Sequence, residues 1–323
     1  MQEKILIIRM LGLGDVTCVG IPAIRHIKQK YPDANIHVLT YAAGEDIIAL
    51  AEPDVHIMAL KKGEWPENIV NAMQTFLGLA ETILGEKYSR IINLDTWFMP
   101  CFLARFLKDA GEPVVGNTMS ISVAELVDKF QQQTLSADYV NVPEHYMQST
   151  WLSMAQWHTA WWENGISLER GYPEFYLRRC CGFGDIAMDM AIDVPADTAL
   201  AAMDKPVVAM ATEARTKERH YPYGEQLKQL LEEQGVMVWS GFDGRYPMLD
   251  TLGKLKASQL LITVPSAPQW LATTVNTPSL VISGTVDPRT LMPEFATDMS
   301  SQPVAAEILA EGVMNILKGQ GHG

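Results

Sequence analysis

Cysteine is scarce in this 323-residue chain, and its four copies (Cys18, Cys101, Cys180 and Cys181) make neither a CxxC pair nor a zinc-type spacing with histidine. The vicinal pair Cys180-Cys181 is therefore read as two reduced, partly buried thiols rather than as a redox couple. Positive charge is short as well: 25 Lys and Arg face 38 Asp and Glu, a net charge of −13. That balance excludes a generally basic surface of the kind that nucleic acid and anionic lipid require, while leaving room for a local basic patch. No apolar run is long enough to span a bilayer. The N-terminus lacks the shape of a signal peptide, because Gln2-Glu3-Lys4 is polar and the apolar run after it ends at Arg9. A cytoplasmic protein is expected. With 48% hydrophobic and 20% charged residues the chain is globular, and its length suits two domains.

Short β-rich runs alternate with helical periodicity through both halves. In the first, Ile5–Ile8, Ile36–Thr40, Ile91–Leu94 and Val114–Gly116 read as strands, separated by helices over Ile21–Lys30, Pro66–Leu84 and Met99–Ala110. In the second, strands over Val207–Met210, Val236–Ser240, Gln259–Thr263 and Ser279–Ser283 alternate with helices over Tyr223–Glu233, Met248–Lys256 and Ala267–Val275, and Ala305–Lys318 reads as helix. This βαβα order predicts two Rossmann-like domains, 1–175 and 176–323, each with a parallel sheet, facing a central cleft. The Trp- and His-rich stretch Tyr146–Gly165 between them is read as a helix packing its indoles onto the core rather than as an aromatic platform.

The most informative motif is Gly12-Leu13-Gly14-Asp15, directly after the first strand. Its glycines suit a sharp turn, and it puts a carboxylate at the carboxyl end of a strand, where ligands of open α/β sheets bind. A capping role for the helix that follows is the alternative. A nicotinamide enzyme is disfavoured: the third glycine of that fingerprint is replaced by Thr17, and the second strand ends in Val38-Leu39-Thr40 rather than in an acidic residue. In the second half, Ser266-Ala267-Pro268-Gln269-Trp270 opens a helix, with Ser266 as N-cap and Pro268 in the first turn, and a helix start attracts phosphate. Arg215, Lys217 and Arg219 follow the first strand of that half and add cations for phosphate oxygens.

Three segments together resemble a known family. "ILIIRMLGLGDVTCVGIPAIRHIKQKYPDANIHVL" at 5–39, "RHYP" at 219–222 and "SAPQWLATTVNTPSLVISGTVDP" at 266–288 are similar to the bacterial lipopolysaccharide heptosyltransferases, glycosyltransferase family nine. The resemblance implies a GT-B fold with an N-terminal acceptor domain and a C-terminal nucleotide-sugar domain. It implies an inverting, metal-independent transfer, with Asp15 as the general base that takes the acceptor proton. Donor contacts fall on Thr212, Lys217, Arg219, Asp243, Ser266, Ala267, Gln269 and Trp270, and acceptor contacts on Gly14 and Asp95; Arg9 and Arg105 are further candidates for an anionic acceptor. The sequence departs from the family at two points: its aspartate before Thr-Gly is Pro265 here, and its histidine is Trp270. Neither side chain can accept a hydrogen bond from a sugar hydroxyl.

The expected activity is thus transfer of a sugar, heptose first, from a nucleotide-diphosphate donor such as ADP-heptose to a glycan, a lipid-linked saccharide or a protein. No cofactor beyond that substrate is implied. Work at the inner face of the plasma membrane fits a lipid-linked acceptor. The alternative is a heptosyltransferase-like protein that binds nucleotide or glycan without transfer.

Overall fold

A computed structural model describes residues 3–10, 12–136, 138–166, 168–214, 216 and 219–320. Arg215 and Lys217, read above as phosphate contacts, lie outside the described residues. The chain divides into two compact units, Met1–Ala160 with Pro173–Asp189, and Trp161–Tyr172 with Met190–Gly323. Around residue 175 the chain therefore passes from one unit back into the other before finally leaving for the second.

The first unit is built on a six-stranded sheet of β1 (Lys4–Ile8), β2 (Asn35–Tyr41), β3 (His56–Leu60), β4 (Arg90–Asn93), β5 (Val114–Met119) and β6 (Met147–Ser149). The order is β3-β2-β1-β4-β5-β6, with every pairing parallel except that of β5 with β6. Ile5, Leu6, Ile7 and Ile8 are all fully buried, as expected for a central parallel strand covered on both faces. One layer over the sheet carries the helices Ile69–Glu86 and Phe98–Asp109, whose Phe76, Ala80, Ile83, Phe102 and Leu107 join Leu6, Ile8 and Ile91 in one core. The first of these helices starts at Asn68, whose side chain accepts from the N–H groups of Val70 and Asn71.

The second unit holds five parallel strands, β7 (Val207–Ala211), β8 (Met237–Trp239), β9 (Leu260–Thr263), β10 (Ser279–Val281) and β11 (Phe295–Ala296), in the order β11-β10-β9-β7-β8. The helices Gly224–Glu233, Met248–Lys256, Ala267–Thr274 and Ala306–Gln320 cover it. No helix among the described residues is long and apolar enough to cross a membrane.

The Trp-rich segment forms no single helix. It gives the edge strand β6, then a 3-10 run over Leu152–His158, and its rings pack in both units. Trp151 meets Phe183 edge-on and Trp157 meets Tyr176 in the first unit, while Trp161 and Trp162 contact each other in the second. His158 pairs with Glu144 at 2.9 Å. These rings pack against neighbouring aromatic side chains rather than forming one continuous stacked surface.

Gly116 shows how tightly the first unit is packed. It has a φ of +100°, and a Cβ there would collide with the Asn93 carbonyl oxygen and lie 2.8 Å from the Trp151 ring. Gly116→Ala is expected to destabilise by about 2–3 kcal/mol or more, combining backbone strain with overpacking. Equilibrium denaturation measures this, and a loss below about 0.5 kcal/mol, the range of neutral surface changes, would show that the contact relaxes freely.

Candidate functional site

In the first sheet β1 connects onward to β2 on one side, while its other neighbour β4 connects to β5 on the opposite side. Strand order reverses between β1 and β4, and loops leaving their carboxyl ends diverge around a crevice there. Gly12–Asp15 leaves β1 at this point and Leu94–Trp97 leaves β4.

Gly12 has a φ of +82°, and a Cβ on it would stand 2.9 Å from Asp15 Oδ2. The missing side chain is what lets the Asp15 carboxylate fold back over the turn. Gly14 lies inside the helical turn Leu13–Asp15, so of the two glycines only Gly12 supplies the unusual backbone. Thr17, in place of a third glycine, is fully buried and donates its hydroxyl to the Leu13 carbonyl at 2.7 Å. The helix widens to π-type spacing over Val16–Gly20, a local irregularity frequent at functional sites.

Asp15 makes no side-chain capping bond to the helix that follows it. Its Oδ2 instead lies 2.9 Å from Arg9 Nη2. Arg9, only 6% exposed, places Nη1 3.2 Å from Asp95 Oδ1 and donates to the Leu94 carbonyl at 3.1 Å. Asp95 is fully buried and its Oδ2 accepts the Met10 N–H at 2.6 Å. One buried guanidinium thus joins a buried carboxylate to one whose side chain keeps 32% of its exposure.

A polar layer beneath fixes this trio. Asn93 accepts the Asp95 N–H at 3.0 Å and donates to the Asn117 carbonyl at 2.7 Å. Asn117 in turn donates to the Asp95 carbonyl at 3.1 Å, and Tyr176 donates to the Leu94 carbonyl at 2.7 Å. Burial pushes the Tyr176 phenol well above its ordinary range, so it stays a hydrogen-bond donor. Tyr146 donates to the Thr96 carbonyl at 2.6 Å, completing the support of the β4 loop. The thiols nearby are free and buried: desolvation raises Cys101 and Cys181, and it pushes Cys180 up to about 12. At neutral pH these are inert thiols.

The second sheet reverses order between β7 and β9. Because Ala211 pairs with Thr263, the segments after them, Thr212 and Val264–Ser266, emerge side by side. Thr212 is 7% exposed and packs against the start of the helix Gly224–Glu233, where a Cβ on Gly224 would approach its hydroxyl to 2.6 Å. Ser266 and Ala267 are partly exposed at the start of the helix Ala267–Thr274, with Pro268 in its first turn. Arg219 is exposed in the loop between β7 and the helix Gly224–Glu233. Asp243, beyond β8, is exposed and paired with Arg245 at 2.7 Å, which holds its carboxyl down to about 2. Among the described residues no group of three or more His, Cys, Asp or Glu is arranged to hold a metal ion.

Several sequence expectations need correction. Ser266 occupies the N-cap position, but its hydroxyl makes no capping bond and donates instead to the Val264 carbonyl at 3.0 Å. Gln269 and Trp270, read as donor contacts, are 2% and 5% exposed: the Gln269 amide donates to the Leu291 carbonyl, and Trp270 packs edge-on against Tyr172. Both side chains are buried in the second unit, where they border a small cavity with Leu291 and Glu294. Asp95, read as an acceptor contact, is fully buried and paired with Arg9, so its carboxylate is not presented to an acceptor. Arg9 is itself enclosed, and Arg105 is engaged by Asp109 and by the carbonyls of Met119 and Ser120, so neither offers a ready anion contact. Asn93, Asn117 and Tyr176 were not anticipated. Asn93 alone carries a sequence signal, a polar residue closing the apolar run Ile91-Ile92, whereas Asn117 lies inside β5 and Tyr176 in a distant helical segment.

Two doubly wound, largely parallel sheets in one chain, each gathering polar groups where its strand order reverses, define the GT-B class of α/β proteins. The particular resemblance is to the heptosyltransferases. A stretch of 91 residues is 35% identical to lipopolysaccharide heptosyltransferase 3 of Escherichia coli, covering 27% of this chain and about a quarter (25%) of that relative's length. Among solved structures, a glycosyl transferase family 9 protein of Veillonella parvula superposes with a TM-score of 0.62 at 12% identity, covering 97% of this chain and 91% of that one. The E. coli heptosyltransferase WaaC with ADP-2-deoxy-2-fluoro heptose gives the same TM-score and identity over 97% of this chain and 99% of its own. At such identity the structural likeness is one of fold. No family model matches the chain.

Proposed function

We propose that this protein is an inverting glycosyltransferase that uses a nucleoside diphosphate sugar, with ADP-heptose as the leading donor, and Asp15 as general base. The observation that carries the reading is the Arg9-oriented, partly exposed Asp15 carboxylate at the point where the first sheet reverses its strand order. The resemblance to heptosyltransferases, in sequence over part of the chain and in fold over nearly all of it, supports the same reading.

In this reaction an acceptor hydroxyl gives its proton to Asp15 as its oxygen bonds to the anomeric carbon from the face opposite the diphosphate. The bond from that carbon to the phosphate oxygen breaks, and the electron pair leaves with the nucleoside diphosphate. The growing negative charge is met by the start of the helix Ala267–Thr274, by the Ser266 hydroxyl and by Arg219. Thr212 and Asp243, which follow the parallel neighbours β7 and β8, are assigned to the donor in this scheme. This scheme requires no metal ion. The acceptor is a glycan, a lipid-linked saccharide or a protein hydroxyl met by the first unit near Gly14, and a lipid-linked one would bring the enzyme to the inner face of the plasma membrane.

A second reading, a protein that binds nucleotide or glycan without transfer, is favoured by Pro265 and the buried Trp270, which leave donor hydroxyls without a carboxylate or imidazole there. A thermal-shift series with ADP, UDP, GDP and their sugars tests both. A ligand at a hundred times its dissociation constant stabilises by about 2.7 kcal/mol. The expected result is stabilisation by one nucleotide and its sugar, with affinity falling about tenfold in Arg219→Ala through loss of a charge-assisted contact. Stabilisation with no sugar released or transferred would favour the second reading, and silence across the series would remove ADP, UDP and GDP sugars as donors and turn the balance toward a non-transferring binding partner.

A further inference from the structure

The first unit carries a cavity that the proposed transfer leaves unused. It has a volume of about 200 Å3 and lies between the end of the helix Ile21–Lys30, the start of β4 and β5, and the segment Cys181–Phe183. β4 enters at Arg90 and reaches the Asp15 region only beyond Asn93, so the cavity lies toward the opposite, amino end of the sheet from the candidate active site.

Three features of its wall converge on one ligand chemistry. First, two of the lining residues, Lys30 and Arg90, are cations and none is a carboxylate. In a chain with 38 acidic residues, neither cation forms an ion pair among the described residues. Both are instead held at the ring of Tyr31, with Lys30 Nζ at 5.9 Å and Arg90 Cζ at 5.3 Å from its centroid. Second, the rest of the wall is apolar and aromatic, with Ile92, Trp151 and Phe183 facing the same space. Third, those rings are fixed. Trp151 nests against Gly116, where a Cβ would stand 2.8 Å from it, and Phe183 stacks on His26 at 5.0 Å and meets Trp151 edge-on at 5.9 Å. Rigid walls reduce the ordering cost of binding.

We infer that this cavity is a binding site for a small organic anion with a flat apolar body, its ring against Trp151 and Phe183 and its anionic group at Arg90 and Lys30. The space exceeds the roughly 150 Å3 in which an engineered apolar cavity takes up benzene. The cations supply what an apolar cavity lacks, a partner for a carboxylate, sulfonate or phosphate. The site is distinct from the donor and acceptor contacts proposed above and does not depend on them.

Calorimetric titration with 2-naphthoate and its neutral analogue 2-naphthamide tests the assignment on the whole chain. Naphthoate is expected to bind the wild type about tenfold more tightly than the amide. Arg90→Gln, a change at a partly exposed position, is expected to erase that preference, and Val115→Phe to exclude both ligands by filling the space. Asp15→Asn should leave naphthoate binding unchanged, which separates this site from the transfer centre. The inference is overturned if neither compound binds up to its solubility limit, if the amide binds as well as the acid, or if Arg90→Gln and a folded Val115→Phe both bind naphthoate like the wild type.

Discussion

Asp15→Asn is expected to reduce sugar transfer by a factor of about 10²–10⁴, the usual contribution of a positioned general base. The amide keeps the shape of the carboxylate and the room that Gly12 leaves for it, but it cannot take the acceptor proton. Asp15 sits on the partly exposed side of Arg9, so the substitution leaves the buried Arg9–Asp95 pair in place. The unfolding midpoint should therefore move little while turnover collapses. Donor affinity, which this reading assigns to the second unit, should be unchanged, so the loss falls on kcat rather than on KM. Transfer at the wild-type rate in Asp15→Asn would show that another group takes the proton.

Asp95→Leu is expected to have the opposite signature, a large loss of stability. It removes the fully buried partner of an arginine that is itself 6% exposed, and it leaves the Met10 N–H without the oxygen it now meets at 2.6 Å. Breaking one side of a buried ion pair costs about 3–5 kcal/mol, because the surviving charge stays desolvated. For a unit of this size that corresponds to a fall in its transition of roughly 10 °C. Replacing Arg9 by Met in the same chain should restore part of the loss, since two apolar groups leave no stranded charge. Denaturant titrations of the two single variants and the double variant measure the coupling. A loss below about 1 kcal/mol for Asp95→Leu would mean that water reaches Arg9 and that the trio is no rigid device.

Much of the architecture can be read from the chain because it rests on local pattern. Ile5–Ile8, Val207–Met210 and Leu260–Ile262 are continuous apolar runs, as buried parallel strands must be, and the strands expected at Ile5–Ile8, Val207–Met210 and Gln259–Thr263 appear within a residue or two of those limits. The helix Met248–Lys256 has the expected limits, because Pro247 begins it and its apolar residues recur at helical spacing. Short edge elements are harder to see. β3 at His56–Leu60 is mostly half-exposed, and β6 and β11 span three and two residues, too few to show a period.

The candidate site was legible where backbone geometry dictates it and opaque where tertiary packing does. The glycine turn put Asp15 at the end of β1, but nothing local shows that Arg9 turns inward to meet it. The burial of Asp95 depends on β1 and β5 lying to either side of β4 and on Tyr176 arriving from a distant segment. Trp270 and Gln269 lie on a helix between two buried strands, a setting that favours core packing for large side chains; the family resemblance drew them toward the ligand instead.

The proposed transfer is a direct displacement at the anomeric carbon with Asp15 as base. Proton and phosphorus NMR of ADP-heptose, incubated with the enzyme and a bacterial envelope glycan fraction, follows that event most directly. The expected record is loss of the diphosphate-linked anomeric signal in step with the appearance of ADP and of a glycosidic signal of the opposite configuration. A product that keeps the donor's configuration would contradict the mechanism, and a donor that survives intact would contradict the proposed activity.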